Sequence, residues 1–364
     1  MRILLATLIA LSFTHNIAIS QISDAAPAGV TRPDQTAAAP IVIAHRGASG
    51  YLPEHTLEAA AFAHALESDY IEQDCVLSKD GIPVVMHDLT LDALTNVRDI
   101  FPGRQRDDGK NYVMDFTLAE LRQLRVTERR SVSGTPKANS SRFPAERGSF
   151  RISTLEEHLQ LIQGLNQSRQ HKAGVYVEIK DPRRHREAGL DASSAVLDVL
   201  RRYGYDSADD RIYVQCFDES EVRRLRNDLK CPLPLIWLTG KAPTADQLRD
   251  ARSFCDGLGL LLTLVVTGAD STGRLQVSSL VSQAHAVGLP VHVWTWRSDS
   301  LPEFVKSGEL LLESLTVEAG VDGIFTDHPD LVLHWRRQRL QQAGRGNPFR
   351  LLNTASPSTG SPAP

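Results

Sequence analysis

The sequence predicts a TIM (β/α)8 barrel with an insertion after an early strand. Short apolar runs that are typical of strands alternate with helical patterns along most of the chain, and this alternation indicates a parallel sheet covered by helices. Polar residues that are candidates for function lie at the ends of runs early, midway and late in the chain. A closed barrel brings such positions together at one face, whereas a doubly wound open sheet, the main alternative, would gather them at a switch point.

Nine apolar runs are candidates for strands, one more than this barrel needs. In chain order they cover residues 41–45, 70–76, 82–87, 175–180, 211–217, 234–238, 258–264, 290–296 and 321–326. The clearest helical patterns between them cover residues 56–67, 186–203 and 218–229. The step Asp80-Gly81 is a strong signal for a tight turn, so run 82–87 is a candidate for an antiparallel hairpin with the run before it. Either that run lies outside the barrel or run 258–264 is not a full barrel strand, and the sequence leaves both possibilities open.

One polar, Arg-rich segment at about residues 96–151 interrupts the alternation. It contains one clear helical piece, in which Thr117 and Glu120 occupy capping-box positions. Loops of this length are usually functional or disordered. Because the segment follows the C-terminal end of a run, we expect it to cap the catalytic rim of the barrel, and disorder near residues 131–141 is the alternative.

The composition of the 364-residue chain is that of an ordinary globular protein with enough apolar material for one large core. Hydrophobic residues make up 41% of the sequence and charged residues 23%. The formal net charge of −4 and the lack of a long basic run argue against general nucleic-acid binding.

The first 20 residues are predicted to be a secretory signal peptide and not part of the fold. Arg2 supplies a positive charge, an apolar stretch covers residues 3–13, and Ala18 and Ser20 are the small residues of a cleavage site. The apolar stretch is too short to span a bilayer, which disfavours the alternative of an uncleaved anchor. The sequence therefore predicts a periplasmic or secreted protein without a stable membrane anchor.

The mature chain is predicted to have one domain with flexible ends. A lead-in rich in Ala and Pro covers residues 21–40, the barrel covers residues 41–345, and a tail rich in Pro, Ser and Gly, at residues 346–364, is predicted to be disordered.

Four cysteines occur in the chain, and an exported protein permits a disulfide. Cys75 and Cys216 lie inside strand-like runs and are expected to be buried thiols. Cys231 and Cys255 lie in loop-like contexts and are therefore the better candidates for a pair.

Two pairs of charged residues lie at alternating positions in strand-like runs, Glu72 with Asp74 and Glu178 with Lys180. Residues two apart in a strand project to the same side, so each pair directs its side chains at one place. Three carboxylates beside one lysine fit a hard divalent cation with oxygen ligands, next to an anionic substrate. The alternative is a structural ion-pair cluster, which is disfavoured because the carboxylates outnumber Lys180 and would repel one another.

Two histidines, His45 and His87, each end an apolar run. Histidine titrates near physiological pH, so these residues suit general acid and base catalysis. A histidine considered alone is more often a buried hydrogen-bonding residue, and the remaining histidines, including His55, carry no comparable signal.

Six segments of the chain resemble, in the same order, those of the glycerophosphodiester phosphodiesterases, with the strongest likeness to the periplasmic bacterial type. Within residues 41–335 they are AHRGASGYLPEHT, EQDCVLSKDGIPVVMHD, VEIK, QCFD, VWTW and DGIFTDHPD. The resemblance implies a TIM barrel and metal-dependent hydrolysis of glycerophosphodiesters, the deacylated phospholipids, to sn-glycerol 3-phosphate and an alcohol. It also makes His45 and His87 catalytic, without fixing which is the acid and which the base.

The same segments suggest which residues bind the small-molecule substrate. Arg46 and Lys180 would bind phosphate oxygens, arginine through a planar fork and lysine through a compact charge. By resemblance Glu54 organises the pocket, although a role in capping its loop is the alternative. Gln215 and Phe217 end a strand-like run and are expected to line the site.

Three further expectations concern the last two runs and the residue after His87. Trp296 is nearer the strand end than Trp294, so Trp296 is expected to form the wall for the glycerol moiety, with Trp294 in the core. Asp327 and His328 are expected to be structural, and Asp88 to orient a loop.

One divalent cation is expected, with Ca²⁺ favoured over Mg²⁺ because Ca²⁺ is more available outside the cytosol and tolerates irregular carboxylate cages. Two alternative functions are a headgroup cleavage like that of related phospholipase D toxins and the non-catalytic binding of glycerophosphodiesters. The toxins lack a long insertion such as 96–151, and binding alone does not require a pair of histidines, so hydrolysis is the favoured function.

Overall fold

Eight parallel strands close into a barrel in the computed structural model, which describes residues 39–130 and 141–345. The described residues form eleven strands, eight in the barrel and three outside it: β1 (Ile41–Ala44), β2 (Tyr70–Leu77), β3 (Pro83–Val85), β4 (Gly174–Ile179), β5 (Ile212–Cys216), β6 (Leu235–Thr239), β7 (Gly257–Leu261), β8 (Val266–Ala269), β9 (Leu275–Val277), β10 (Val291–Trp296) and β11 (Gly323–Thr326). Around the barrel the order is β1, β2, β4, β5, β6, β7, β10 and β11, and β1 pairs in parallel with both β2 and β11. This closure confirms the predicted TIM barrel and excludes the open sheet.

The extra apolar run is the antiparallel excursion that the sequence allowed. After a tight turn at Gly81, whose φ is +75°, β3 pairs with the end of β2 and places Val85 opposite Cys75. Run 258–264 does supply a barrel strand, β7, which pairs in parallel with β6 and β10. A separate antiparallel hairpin, β8 with β9, follows β7.

Helices connect the strands and pack on the outside of the barrel. They are α1 (Leu57–Ala65), α2 (Val97–Ile100), α3 (Leu118–Leu121), α4 (Leu155–Arg169), α5 (Pro182–Glu187), α6 (Ala192–Arg202), α7 (Glu219–Asn227), α8 (Ala245–Ala251), α9 (Leu262–Val265), α10 (Leu280–Ala286), α11 (Gly308–Glu313) and α12 (Pro329–Arg345), with a 3-10 turn at Val113–Asp115 and a π-helical turn at Ser314–Glu318. Thr117 and Glu120 form the predicted capping box at α3. The single helix predicted over 186–203 is two helices, because Gly189 ends α5 with a φ of +77° and Asp191 caps α6.

Aromatic side chains fill the barrel interior below its C-terminal end. Tyr176 stacks on Tyr213 with ring centroids 4.9 Å apart and meets the edge of Phe325 at the same distance. The Tyr176 hydroxyl hydrogen-bonds His292 Nδ1 at 2.8 Å. The barrel interior is therefore a packed core, and a ligand would bind at the end where the strands terminate.

The insertion has an apolar core of its own, built against β2 and β3. This core contains Val76, Val84, Met86, Leu91, Leu94, Val97, Val113, Phe116, Leu121, Leu124, Val126, Phe150 and Ile152. The described parts of the insertion are thus packed by the same burial of apolar surface that stabilises the barrel. Residues 131–140, which make up nearly all of the segment considered for disorder, lie outside the described residues.

The pairing of Cys231 with Cys255 is not formed, which corrects the expectation from sequence. All four cysteines are free and buried, as expected for Cys75 and Cys216. Cys231 and Cys255 each lie in the turn after a helix, α7 or α8, and belong to the apolar layer between the helices and the sheet. Their loop-like sequence context was misleading because a buried thiol packs as a small apolar group. Burial raises the pKa of Cys255 to about 12.

The predicted signal peptide, the tail and all but the last two residues of the lead-in lie outside the described residues. Within the described ranges, no helix is both long enough and apolar enough to cross a bilayer.

Candidate active site

A cavity of about 270 Å³ lies at the C-terminal end of the barrel. Among the residues predicted from sequence, its lining includes His45, Arg46, Glu72, His87, Glu178, Lys180, Gln215 and Phe217. The lining is completed by Leu238, Leu261, Leu262, Thr263, Trp294, Thr295, Arg297, Ser300 and Phe325. Residues from strands all around the barrel thus meet at one place, as this topology requires.

Three buried carboxylates form a cluster at the cavity, and two of them, Glu72 and Glu178, line it. Glu72 and Asp74 occupy alternating positions on β2, and Asp74 pairs in register with Glu178 on β4. These three residues are 2%, 1% and 6% exposed, respectively. The Lys180 ammonium lies 2.6 Å from Glu178 Oε1 and 3.7 Å from Asp74 Oδ1. Strand alternation therefore brings together the residues that the sequence spacing singled out.

The carboxylate cluster fits a bound cation. Asp74 Oδ1 is buried and has no hydrogen-bond partner among the residues that the structure describes, which is the state an ion would satisfy. Burial, followed by the negative charges of Asp74 and Glu178, raises the pKa of Glu72 well above its usual range. A divalent cation with oxygen ligands would remove that repulsion.

His55 also belongs to this cluster, although the sequence pattern did not indicate it. Its Nε2 lies 2.7 Å from Asp74 Oδ2, and donor atoms of His55, Glu72 and Asp74 all lie within 4.8 Å of one another. Glu178 is not a member of that compact group, and its Oε1 contacts the Lys180 ammonium instead. Because His55 shares a hydrogen bond with Asp74, it is placed to orient that carboxylate, as partners of metal ligands commonly do.

His45 follows β1 and is held by a carboxylate that was expected to be only structural. His45 Nδ1 lies 2.7 Å from Asp327 Oδ1, and Arg142 and Arg297 both donate to Asp327 Oδ2, at 2.7 and 2.8 Å. Burial alone would raise the pKa of Asp327, but His45, Arg297 and Arg142 hold it well below its usual range. An ionised carboxylate only accepts hydrogen bonds, so Nδ1 of His45 carries the proton and Nε2 is bare.

His87 has an equivalent arrangement on the insertion side of the cavity. It follows β3, which is not a barrel strand, and it reaches the level of the carboxylates because Met86 N donates to Asp74 O at 2.8 Å. His87 Nδ1 lies 2.6 Å from Asp88 Oδ1, and Arg129 donates to Asp88 Oδ2 at 2.7 Å. Although burial opposes it, contact with His87 and Arg129 lowers the pKa of Asp88.

Burial lowers the pKa of both histidines. The pKa of His45 falls to about 3, with a further contribution from the positive charge of Arg46. Each imidazole is therefore neutral near pH 7 and presents one bare nitrogen, the state from which a base accepts a proton.

The turn after His45 contains two consecutive residues in the left-handed conformation, and the second of them has no room for a side chain. Arg46 and Gly47 have φ values of +58° and +78°, and a Cβ on Gly47 would lie 2.8 Å from the carbonyl carbon of Ala59. The turn lets Arg46 N donate to Glu72 Oε2 at 2.6 Å. Glu54 does not line the cavity, but its Oε1 accepts from Arg46 Nη1 at 2.9 Å and so holds that guanidinium at the cavity wall.

The aromatic wall of the cavity is formed by Trp294 and Phe217, and this reverses the expectation for the two tryptophans. Phe217 is 45% exposed and meets Trp294 in a T-shaped contact with centroids 5.4 Å apart. Trp296 is 3% exposed, packs in the outer core and donates to Gly308 O at 3.2 Å. The register of β10 with β11 shifts between Val293 and Trp296, so strict alternation fails there and the two indoles face opposite layers.

The insertion contacts the barrel at the end that carries the cavity, although none of its described residues lines the cavity. Arg129 bonds Glu54 as well as Asp88, and Arg142 bonds Asp299 as well as Asp327. Neither arginine was singled out from sequence, since nothing in their spacing marked them among the many arginines of the segment.

Comparison with known proteins shows the family to which the chain is similar. The family model described as the glycerophosphoryl diester phosphodiesterase family matches residues 45–331. The glycerophosphodiester phosphodiesterase of Haemophilus influenzae is 38% identical over 319 residues, covering 80% of this chain and 88% of its own. That of Treponema pallidum is 35% identical over 321 residues, covering 80% and 90%. The crystal structure of a candidate glycerophosphoryl diester phosphodiesterase from Silicibacter pomeroyi DSS-3 aligns with a TM-score of 0.64 at 27% identity, covering 85% of this chain and 96% of that one.

Proposed function

The chain belongs to the glycerophosphoryl diester phosphodiesterase family, and from that premise we propose that it hydrolyses glycerophosphodiesters to sn-glycerol 3-phosphate and an alcohol. The observation that carries the proposal is the pair of neutral histidines, His45 and His87, each held through Nδ1 by a carboxylate at the wall of one cavity. Binding alone does not require two neutral imidazoles that each present an unprotonated nitrogen, whereas cleavage of a phosphodiester is accelerated by a general base and a general acid.

The carboxylate cluster would hold one divalent cation through Glu72, Asp74 and Glu178, with His55 orienting Asp74. When bound, such an ion polarises a phosphoryl group and offsets its developing negative charge. Lys180 and Arg46 at the cavity wall add positive charge for the remaining phosphate oxygens. We favour Ca²⁺ over Mg²⁺, because Ca²⁺ accepts irregular carboxylate cages.

His45 and His87 would serve on opposite sides of the phosphate. An in-line displacement places the attacking and leaving oxygens on opposite sides of phosphorus, so one imidazole cannot easily serve both. One bare Nε2 removes the proton from the nucleophile, and the other imidazole, once protonated, delivers a proton to the leaving alcohol. The two histidines then exchange roles if a second displacement follows.

The first nucleophile would be the glycerol hydroxyl adjacent to the phosphoester. That hydroxyl is already tethered to the reacting group, which replaces part of the entropic cost of recruiting water. Attack by this hydroxyl expels the alcohol and closes a cyclic glycerol phosphate, which water then opens. A substrate analogue without the adjacent hydroxyl tests this step, and cleavage of the analogue as fast as glycerophosphocholine would favour direct attack by water.

The experiment that tests the proposed function is turnover of glycerophosphocholine before and after treatment with a chelator. We expect release of sn-glycerol 3-phosphate and choline, loss of turnover with chelator, and recovery when Ca²⁺ is restored. Formation of phosphocholine or of the cyclic phosphate as the final product would indicate a different cleavage, and tight binding without turnover would indicate a binding protein.

We also propose that the enzyme acts outside the cytosol, on the basis of the predicted signal peptide. Cell fractionation with N-terminal sequencing should recover a mature chain that begins at Gln21. Recovery of an intact Met1 in the cytosolic fraction would overturn this localisation.

A further inference from the structure

Two arginines of the insertion contact the carboxylates that hold the two histidines. On one side, Arg142 Nη2 lies 2.7 Å from Asp327 Oδ2, while Asp327 Oδ1 holds His45 Nδ1. The same guanidinium forms a fork with Asp299 at 2.7 and 3.1 Å, so it is fixed in place. The side chains of Arg142 and Asp327 are 15% and 3% exposed, which limits screening by water.

On the other side, Arg129 makes an equivalent set of contacts. Its Nη1 and Nη2 donate to the two oxygens of Asp88 at 2.7 and 3.1 Å, and Asp88 Oδ1 holds His87 Nδ1. Arg129 is anchored by a second fork with Glu54, at 3.0 and 2.7 Å. The two sets have the same order, namely a histidine, an aspartate and an arginine, and in both the arginine comes from the insertion.

We propose that Arg129 and Arg142 are positioning residues for the reaction, through which the insertion sets the tautomer and orientation of both histidines. The proposal rests on the proposed function, because it assigns roles around the two reacting imidazoles. Arg129 favours the ionised form of Asp88, and Arg142 does the same for Asp327 together with Arg297, which follows β10. An ionised aspartate can only accept hydrogen bonds, so the histidine proton must then stay on Nδ1. Nε2 therefore carries no proton, and the orientation of the imidazole is fixed by the aspartate that the insertion arginine holds in place.

The alternative is that the two arginines only attach the insertion to the barrel, since both also bind a second carboxylate. The two roles predict different kinetics. An attachment role lowers all activities together with stability, whatever alcohol leaves. A positioning role depends on the leaving group, because a good leaving group departs without a proton from a general acid, whereas a poor one needs it.

The experiment compares Arg129→Met and Arg142→Met on glycerophosphocholine and on the p-nitrophenyl ester of glycerol phosphate. Arg130→Met is the matched control, since it removes the same charge one residue away, where Arg130 pairs with Glu146 and not with a residue of the site. We expect each test variant to lose about 10–100-fold in kcat on glycerophosphocholine, with a smaller change in KM. A loss of this size is usual when a residue that orients a functional side chain is removed.

On the p-nitrophenyl ester, the two variants should differ in how much rate they lose relative to wild type. In the first displacement, measured as release of p-nitrophenol in a single turnover, the variant that disturbs the general acid should be close to wild type, and the variant that disturbs the base should keep its full loss. This pattern would also show which histidine is the acid. Equal losses of both variants on both substrates, or kinetics like those of Arg130→Met, would overturn the proposal.

The corresponding lysine variants keep the proposal testable if a methionine variant does not fold. A lysine preserves the charge but cannot form the two forks of Arg129 or the fork and additional hydrogen bond of Arg142. Arg129→Lys and Arg142→Lys should therefore show the same dependence on the leaving group with a smaller loss. Lysine variants that match wild type on both substrates would overturn the positioning role. A wild-type enzyme that does not turn over glycerophosphocholine would refute the proposed function, whereas an active wild type with indifferent variants refutes this inference alone.

Discussion

The barrel strands and the insertion supply charged groups to the same site by different routes. The strands present Glu72, Asp74 and Glu178 through the regular alternation of side chains, in a parallel register that places them side by side. The insertion presents Arg129 and Arg142 from irregular segments that are fixed by an apolar core of their own. The difference indicates a division of labour. The strands and the short segments that follow them carry the groups that would meet the cation and the substrate, and the insertion carries arginines that hold the partners of the two histidines.

The largest effect is expected from removing a histidine that touches the substrate. His45→Ala or His87→Ala should lower turnover of glycerophosphocholine by about 10²–10⁴-fold, the usual contribution of a general acid or base, while metal binding by calorimetry persists. His334→Ala, on the exposed face of α12, is a control that should be unchanged. A loss no larger than that of the insertion arginines would break the proposed division of labour.

A change in the core of the insertion tests whether that region is stable by itself. Phe116 is fully buried there, and Phe116→Ala should lower the free energy of unfolding by about 3–5 kcal/mol, as expected for a large cavity. Because ion pairs and the β2–β3 hairpin tie the insertion to the barrel, calorimetry should show one transition at a lower temperature. Phe254→Ala, in the outer core of the barrel, is the matched change. A second, separate transition for Phe116→Ala alone would mean that the insertion unfolds independently.

A change in the strand-borne carboxylates should alter metal binding and activity together. Glu178→Gln removes one charge from the cluster and should weaken both by at least about tenfold, since even partners outside the ligand shell contribute that much. Glu187→Gln, an exposed substitution at the end of α5, is the control. Unchanged metal affinity in Glu178→Gln, measured by calorimetry, would remove Glu178 from the ligands and leave His55 as the better candidate.

The smallest effect concerns a carboxyl of the insertion and its dependence on pH. Burial raises the pKa of Glu128 to about 7, although Arg142 opposes it. The folded state therefore binds more protons than the unfolded state between about pH 4.5 and 7, and stability falls as pH rises through that window. Glu128→Gln should remove this fall in stability and be more stable than wild type by about 1–2 kcal/mol at pH 5.5–6, within that window. Parallel stability curves for the two proteins across that window would contradict the assignment.

Much of the fold was accessible from sequence because it follows from local rules. Short apolar runs and the Asp80-Gly81 turn located the strands, and the capping box at Thr117 located a helix start. The alternation of side chains along a strand brought Glu72, Asp74 and Glu178 together. The prediction that Trp296 lines the cavity was wrong because alternation fails near the end of β10, where a register shift turns Trp296 away from the cavity.

The other misses concern contacts between residues far apart in the chain. His55 lies within the AHRGASGYLPEHT segment, yet its contact with Asp74 depends on a left-handed turn with a φ of +62°. Asp327 meets His45 across 282 residues, and Arg142 reaches Asp327 from the insertion. No spacing rule in a single sequence reports such pairs, because they are set by closure of the barrel and by packing of the insertion.

The hydrogen bond between His45 and Asp327 joins the first strand of the barrel to the last. During synthesis, β1 is made long before β11, and the pair cannot form until the chain is nearly complete and the sheet has closed. In an incomplete chain His45 therefore lacks its partner Asp327, and we expect the enzyme to be inactive until folding is finished. Recovery of activity after dilution from denaturant would consequently report the slow, non-local step of closing the barrel, and not the earlier collapse of its core.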